Sequence, residues 1–243
     1  MPKFTGTYRV LNRQVGRALV EYRMLDEGDR ILVGVSGGKD SAALLWSLVE
    51  RQGRSPVGYD LYPVHIDPGF ESGCADHLRA RCRDLGLTLR VVNTAAGRLA
   101  HDRTNRENPC FLCARLRRKQ LFDIARETGC RKIALGHNKD DIIETFFLNI
   151  CYAGAINTMR PAQPVFAGRV TVIRPLAFVE EDLVRRFVRE KGLAVFRNPC
   201  PSARRTKRQE IKELLLQLYR RNPNIKGNVF HALHHLPPDD QPH

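Results

Sequence analysis

The sequence predicts an α/β fold: an open, mainly parallel five-stranded sheet with helices on both faces and a helical C-terminal extension. Three observations predict it. Short apolar runs of strand length alternate along the chain with amphipathic stretches of helical period, the pattern of parallel strands joined by crossover helices. The first of these runs leads straight into a Ser-Gly-Gly turn that opens a helix, a setting suited to binding phosphate. The chain has 243 residues, 42% of them hydrophobic and 27% charged, which suits one large globular domain with a smaller appendage.

In chain order, Val15, Ala18, Leu19 and Tyr22 lie at helical spacing and predict a leading helix over Arg13 to Leu25. Ile31 to Val35 reads as a buried strand and Ala42 to Val49 as the helix after it. Leu61 to Ile66, Leu87 to Val92 and Lys132 to Leu135 read as the second, third and fourth strands, and Val170 to Ile173, ahead of Pro175, as the fifth. Helical patterns fill the gaps at Cys74 to Leu85, Phe111 to Thr128 and Asp141 to Ile150. Glu180 to Lys191 is amphipathic and stopped by Gly192, the residue type expected just past a helix end. Beyond Asn198 to Pro201, a basic run leads into a helix through Leu214, Leu215, Leu218 and Tyr219. The expected organisation is a helical lead-in over 1–30, a central α/β domain over 31–195 and a basic helical segment over 196–243.

The first strand ends in Ser36-Gly37-Gly38-Lys39-Asp40-Ser41. Glycines there let backbone N–H groups approach an anion, and the following helix adds its positive end. Lys39 supplies a point charge. Asp40 is awkward in a plain phosphate cradle but sensible if Mg²⁺ is held beside the phosphates. The fourth strand is followed by Gly136-His137-Asn138-Lys139-Asp140-Asp141, and ligands gather beyond the carboxyl ends of parallel strands. The same rule brings Asp67, after the second strand, toward this site. Asp140 is the expected Mg²⁺ partner of Asp40, and Asp141 the expected cap of the next helix. His137 orients a phosphate, moves a proton or is simply structural.

Seven cysteines at 74, 82, 110, 113, 130, 151 and 200 form an odd, irregular set, which in a reducing compartment means free thiols or metal ligands. The first residues lack the apolar core of a secretory signal and no run is long enough to span a membrane, so the expected location is the cytoplasm. Cys110 and Cys113 form a CxxC pair flanked by Arg115, Arg117 and Arg118, whose charges are expected to lower the thiol pKa values. Such a pair alone more often marks zinc or redox chemistry. A four-ligand zinc site needs a second close pair, which the chain lacks. Cys74, Cys82, Cys130 and Cys151 read as small buried apolar residues. A net charge of +14 with a pI near 9.9 suits a polyanionic partner, and the run Arg204, Arg205, Lys207 and Arg208 is its expected contact, helped by Arg115, Arg117 and Arg118.

SGGKDS resembles the PP-loop of N-type ATP pyrophosphatases, which cleave ATP between its α and β phosphates. RQVGRALVEYRMLDEGDRILVGVSGGKDSAALL, PCFLCARLRR, IALGHNKDDIIETFFLN and VIRPLAF narrow the resemblance to the tRNA 2-thiocytidine synthetase (TtcA) family. It runs from about Leu11 to Leu233. It departs from the family at Asn138-Lys139, where His-Arg is expected, in a short C-terminus and in the little sequence before Leu11. It implies an adenine nucleotide α-hydrolase-like fold, a homodimer, and ATP, Mg²⁺ and a 4Fe-4S cluster as cofactors, with tRNA as substrate. Cys110, Cys113 and Cys200 match the family's cluster-binding cysteines, with Asp40, Lys39 and Cys113 as the catalytic set. The implied reaction adenylates O2 of cytidine 32 and replaces it with sulfur, taken from a donor such as a cysteine desulfurase. The alternatives are a persulfide on Cys113 or Cys200, a uridine 2-thiolase, lysidine synthetase, or a tRNA-binding protein with a relic nucleotide site and a structural metal.

Overall fold

The computed structural model describes residues 5–70, 74–196, 200–202 and 206–234. Six strands form one sheet in the order β3-β2-β1-β4-β6-β5: β1 (Asp29–Gly34), β2 (Tyr59–Asp67), β3 (Arg90–Asn93), β4 (Lys132–Ala134), β5 (Ala162–Val165) and β6 (Val170–Ile173). All neighbours are parallel except β5 and β6. The expected α/β class holds, with one strand more than the five expected. The extra strand, β5, contains Pro164 and reads poorly as a strand. It sits at the sheet edge, where a missing N–H is tolerated, and turns into β6 through positive-φ residues Phe166, Ala167 and Gly168.

The strand order reverses between β1 and β4. On one side the chain proceeds to β2 and β3, on the other to β6 and β5, so a crevice opens beyond the carboxyl ends of β1 and β4. The loops after these two strands carry the Ser36–Ser41 and Gly136–Asp141 motifs.

Helices α1 (Gly6–Glu21), α2 (Lys39–Gln52) and α7 (Glu181–Glu190) share one apolar core with Ile31 and Val33 of the sheet. Trp46 of α2 meets Phe187 edge-on at 5.1 Å and Tyr8 of α1 at 5.7 Å. Helix α1 starts earlier than expected because the Thr5 side chain accepts the Tyr8 N–H and caps it. Helix α5 (Pro109–Thr128) closes a second core with Ile124 and Ala125 against Leu32, Val64, Ile66 and Ile133. The sheet is thus covered on both faces. Helices α3 (Cys74–Asp84), α4 (Ala96–Ala100), α6 (Lys139–Ala153), α8 (Lys207–Arg221) and α9 (Asn224–His234) complete the structure. No helix among the described residues is long and apolar enough to cross a membrane.

Candidate active site

Between β1 and α2 the loop folds around Ser41. Its Oγ donates to the Gly38 carbonyl at 2.9 Å and accepts the Ser36 N–H at 3.2 Å, which closes the loop into a cup. Gly37 has φ +84°, a conformation only glycine adopts cheaply. Gly38 occupies the cap position of α2, and no side chain caps that turn, so its N–H groups are left for an anion. Gly136 lies against the loop from β4: a Cβ there would fall 2.9 Å from the Asp40 carbonyl carbon and 3.0 Å from the Ser41 nitrogen.

Lys39 Nζ pairs with Asp40 Oδ2 at 2.8 Å and Glu181 Oε1 at 2.9 Å. Burial pulls the Lys39 pKa down, but these two carboxylates more than offset it and leave it raised. Asp40 Oδ1 accepts from Asn138 Nδ2 at 3.0 Å. Asn138 is 2% exposed and also caps α6, its Oδ1 accepting the Asp141 N–H while Asp141 Oδ2 accepts the Asn138 N–H. The N-cap expected at Asp141 is instead Asn138, three residues earlier, and Asp141 takes the N3 position of its capping box. It is also the aspartate whose charge meets Asp40: burial first, and then Asp40, raise its pKa. Asp140, expected at the Mg²⁺ position, is engaged elsewhere. Its Oδ2 accepts the Glu181 N–H at 2.8 Å and its Oδ1 pairs with Lys226 at 2.8 Å. Asp67 Oδ1 accepts the Gly69 N–H at 2.8 Å and fixes the turn after β2.

His137 Nδ1 accepts from Arg174 Nε at 3.2 Å. Burial, then Arg174, Arg208, Arg118 and Arg117, hold its pKa down at about 3, so the ring is neutral at physiological pH. Arg174, in the quoted VIRPLAF stretch, is a site residue that the sequence reading passed over.

Cys110 and Cys113 lie at the start of α5, where Asn108 caps the helix and Pro109 takes its first position. The third cysteine, Cys200, follows a segment anchored to the phosphate loop, because Phe196 N–H donates to the Gly37 carbonyl at 2.9 Å. Cys200 Sγ stands 3.8 Å from His101 Nε2. The Cys110 pKa is raised by burial and then by Cys200 and Cys113, and that of Cys113 by burial with a further push from Cys200. Among the described residues no three His, Cys, Asp or Glu side chains converge on a point that would hold a single ion. As a donor set, three thiols are of the kind a polynuclear iron–sulfur cluster takes, each thiolate on a different iron.

The expectation that three arginines lower these thiols is corrected. Only Arg117 acts so, on Cys113, and burial outweighs it. Arg115 is paired with Glu107 at 2.8 Å. Cys74, Cys82 and Cys130 are buried as expected, whereas Cys151, expected buried, is exposed near the end of α6. Of the basic run, Lys207 is exposed and pairs with Glu210 at 3.2 Å. Arg208 turns inward to Glu144 at 3.2 Å, Asp141 at 3.5 Å and Thr145 Oγ1 at 3.0 Å, because α8 packs on α6. Arg204 and Arg205 lie outside the described residues.

Residues 8–219 match the PP-loop domain family. The tRNA-cytidine(32) 2-sulfurtransferase of Syntrophotalea carbinolica is 37% identical over 95% of this chain and 90% of that protein. The enzyme of the same name from Geobacter metallireducens is 38% identical over 95% and 91%. The chain belongs to the PP-loop tRNA 2-thiocytidine synthetase family. Among solved structures, the U34-tRNA thiolase NcsA from Methanococcus maripaludis with its [4Fe-4S] cluster superposes with TM-score 0.78 at 24% identity, covering 95% of this chain and 80% of that one. The NH3-dependent NAD synthetase from Campylobacter jejuni superposes with TM-score 0.53 at 14% identity, covering 98% and 100%. Both likenesses are of fold. In this PP-loop family member the residues missed from sequence (Asn138, Arg174, Glu181, His101 and Phe196) are those whose role is to hold another residue. Asn138 alone had a signal, as a capping residue type just ahead of a helix.

Proposed function

We propose that this chain is an ATP-dependent tRNA sulfurtransferase that makes 2-thiocytidine at position 32. The observation that carries the reading is the union of two sites on one framework: the phosphate loop, and three cysteines, two at the start of α5 and a third that follows a segment bonded to that loop at Gly37. The curated relatives named for this reaction support it.

ATP phosphates bind at the uncapped N-terminal turn of α2, and Lys39 exchanges its carboxylate partners for them. Asp40, released from Lys39 and kept in place by Asn138, would hold the accompanying Mg²⁺, and Asp141 is the second carboxylate that would join it. The pyrimidine O2 attacks the α-phosphorus and pyrophosphate leaves. A sulfide then adds at C2 and AMP departs with the original oxygen. Cys110, Cys113 and Cys200 would hold a 4Fe-4S cluster, which when bound would supply the sulfide-carrying chemistry. The reading places the enzyme in the cytoplasm, with a cysteine desulfurase as sulfur donor and a two-electron reductant that releases its persulfide sulfur as sulfide, and as a homodimer of twice the 27.7 kDa chain mass.

The test is anaerobic incubation of reconstituted protein with ATP, Mg²⁺, sulfide and unmodified tRNA, followed by nucleoside mass spectrometry. 2-Thiocytidine with stoichiometric AMP is expected. 2-Thiouridine instead would transfer the enzyme to the uridine thiolases. Bound tRNA with no pyrophosphate release would leave a tRNA-binding protein and sink the reading.

A further inference from the structure

A concentration of positive charge beside the phosphate loop has no part in the ATP site just described. Arg174, one residue past β6, is 6% exposed. Its Nε donates to His137 Nδ1 at 3.2 Å and its Nη1 to the Arg160 carbonyl at 2.5 Å. Among the described residues no carboxylate lies within 4.0 Å of Arg174, Arg117 or Arg118. The neighbouring cations are all matched: Lys39 with Glu181, Lys139 with Glu180, Arg208 and Lys212 with Glu144, and Lys226 with Asp140.

Burying a guanidinium without a counter-ion is costly. The cost is sensible where an anion arrives from outside. His137 accepts at Nδ1, which puts its ring proton on Nε2 and makes it one more donor. Arg117 and Arg118 are exposed, so an anion has a way in. Arg117 follows Cys113 by one turn of α5, on the same face of that helix, which sets this charge on the sulfur side of the crevice.

We propose that Arg174, Arg117 and Arg118, with His137, form a second phosphate subsite that takes the RNA backbone phosphate beside the reacting base. This rests on the tRNA-thiolation reading. The phosphate is assigned to the RNA because ATP already has the α2 N-terminus and Lys39, and because Arg117 lies one helical turn from Cys113 on α5. A guanidinium fork and two further cations match a phosphate diester in charge and geometry.

The test measures binding of an anticodon stem–loop RNA against salt, and of Mg·ATP and inorganic pyrophosphate, for the wild type, Arg174→Lys, Arg174→Met and the double variant Arg117→Ala/Arg118→Ala. Arg174→Met is expected to weaken RNA binding about tenfold or more, as loss of a charged hydrogen bond does. The log–log salt slope should fall by about 0.7 to 0.9 per lost contact, with Arg174→Lys retaining the slope but not the full affinity. ATP and pyrophosphate binding should be unchanged. If the Arg174 variants fail to fold, judged by their melting curves, the double variant on the exposed arginines decides the matter by the same readouts. Weaker pyrophosphate or ATP binding with RNA binding intact would assign the subsite to the nucleotide and overturn the proposal, as would unaltered RNA slopes in variants that fold. Failure of the wild type to bind the stem–loop at all would instead overturn the thiolation reading.

Discussion

Asp40 shows how much a single residue depends on its neighbours here. Its two oxygens are held by Lys39 and by Asn138, and its backbone packs on Gly136. Asp40→Ala should abolish ATP-dependent thiolation while iron content stays at the wild-type level, since Asp40 is no cluster ligand. Full activity would show that the proposed metal position is wrong. Gly136→Ala probes the same loop from the other side. Its Cβ would press on main chain at 2.9 Å, which cannot swing aside, so overpacking should cost about 1–3 kcal/mol and raise the KM for ATP. An unchanged melting temperature and KM would mean that the loop yields. The sequence made SGGKDS legible as a unit because its chemistry is local. The contacts of Asn138 and Arg174 were not, because each acts on a residue far away in the chain: the reversal of strand order brings Asn138 to Asp40, and the pairing of β4 with β6 brings Arg174 to His137.

At the scale of elements, the parallel strands β1, β2, β3, β4 and β6 and the helices α1, α2, α3, α5, α6, α7 and α8 were legible from an apolar stripe at strand or helix period, most of it packed into one of the two cores. The elements missed had no such stripe. Strand β5 carries a proline at the sheet edge, α4 is a single turn and a quarter, and α9 follows a chain segment with no clear period. One of these matters to the site. Helix α4 leads into His101, whose Nε2 lies 2.7 Å from Ser202 Oγ and 3.8 Å from Cys200, and so ties the third cysteine to the body of the protein. The ligand set spans two elements, the start of α5 and the segment held at Gly37. Cys110→Ala, Cys113→Ala and Cys200→Ala should each remove the cluster, read as loss of iron from about four per chain in anaerobic preparations. Because the phosphate loop is separate, ATP binding should survive in all three. Stoichiometric zinc without iron in the wild type would sink the cluster assignment.

Over the whole molecule the +14 surplus is spread unevenly. Around Asp40, Asp141, Glu144 and Glu181 it is matched by lysines and Arg208, which stitch α8 and α9 to α6 and α7. Around His137 it is unmatched, and this fixes a pH dependence with a definite sign. Folded His137 is held at about 3 by burial and by four arginines, whereas an unfolded histidine titrates near about 6.5. Within that window the unfolded chain binds a proton that the folded chain refuses, so stability falls as pH falls, by at most about 1.4 kcal/mol per pH unit. Glu181 works in the same direction at lower pH. Burial pushes it up, but Lys212 and Lys39 hold it at about 2, so its contribution is lost as pH drops below about 4.5, the ordinary carboxylate range. Asp141 and Glu144 are raised, chiefly by burial. They oppose the trend, because their folded forms take up protons first. His137→Gln separates these effects, since it keeps an acceptor for Arg174 and removes only the titration. Melting temperature should therefore fall more steeply for the wild type than for His137→Gln between about pH 6.5 and 5. Equal slopes would mean that the ring takes its proton in the folded state, with an anion or a rearranged arginine compensating it.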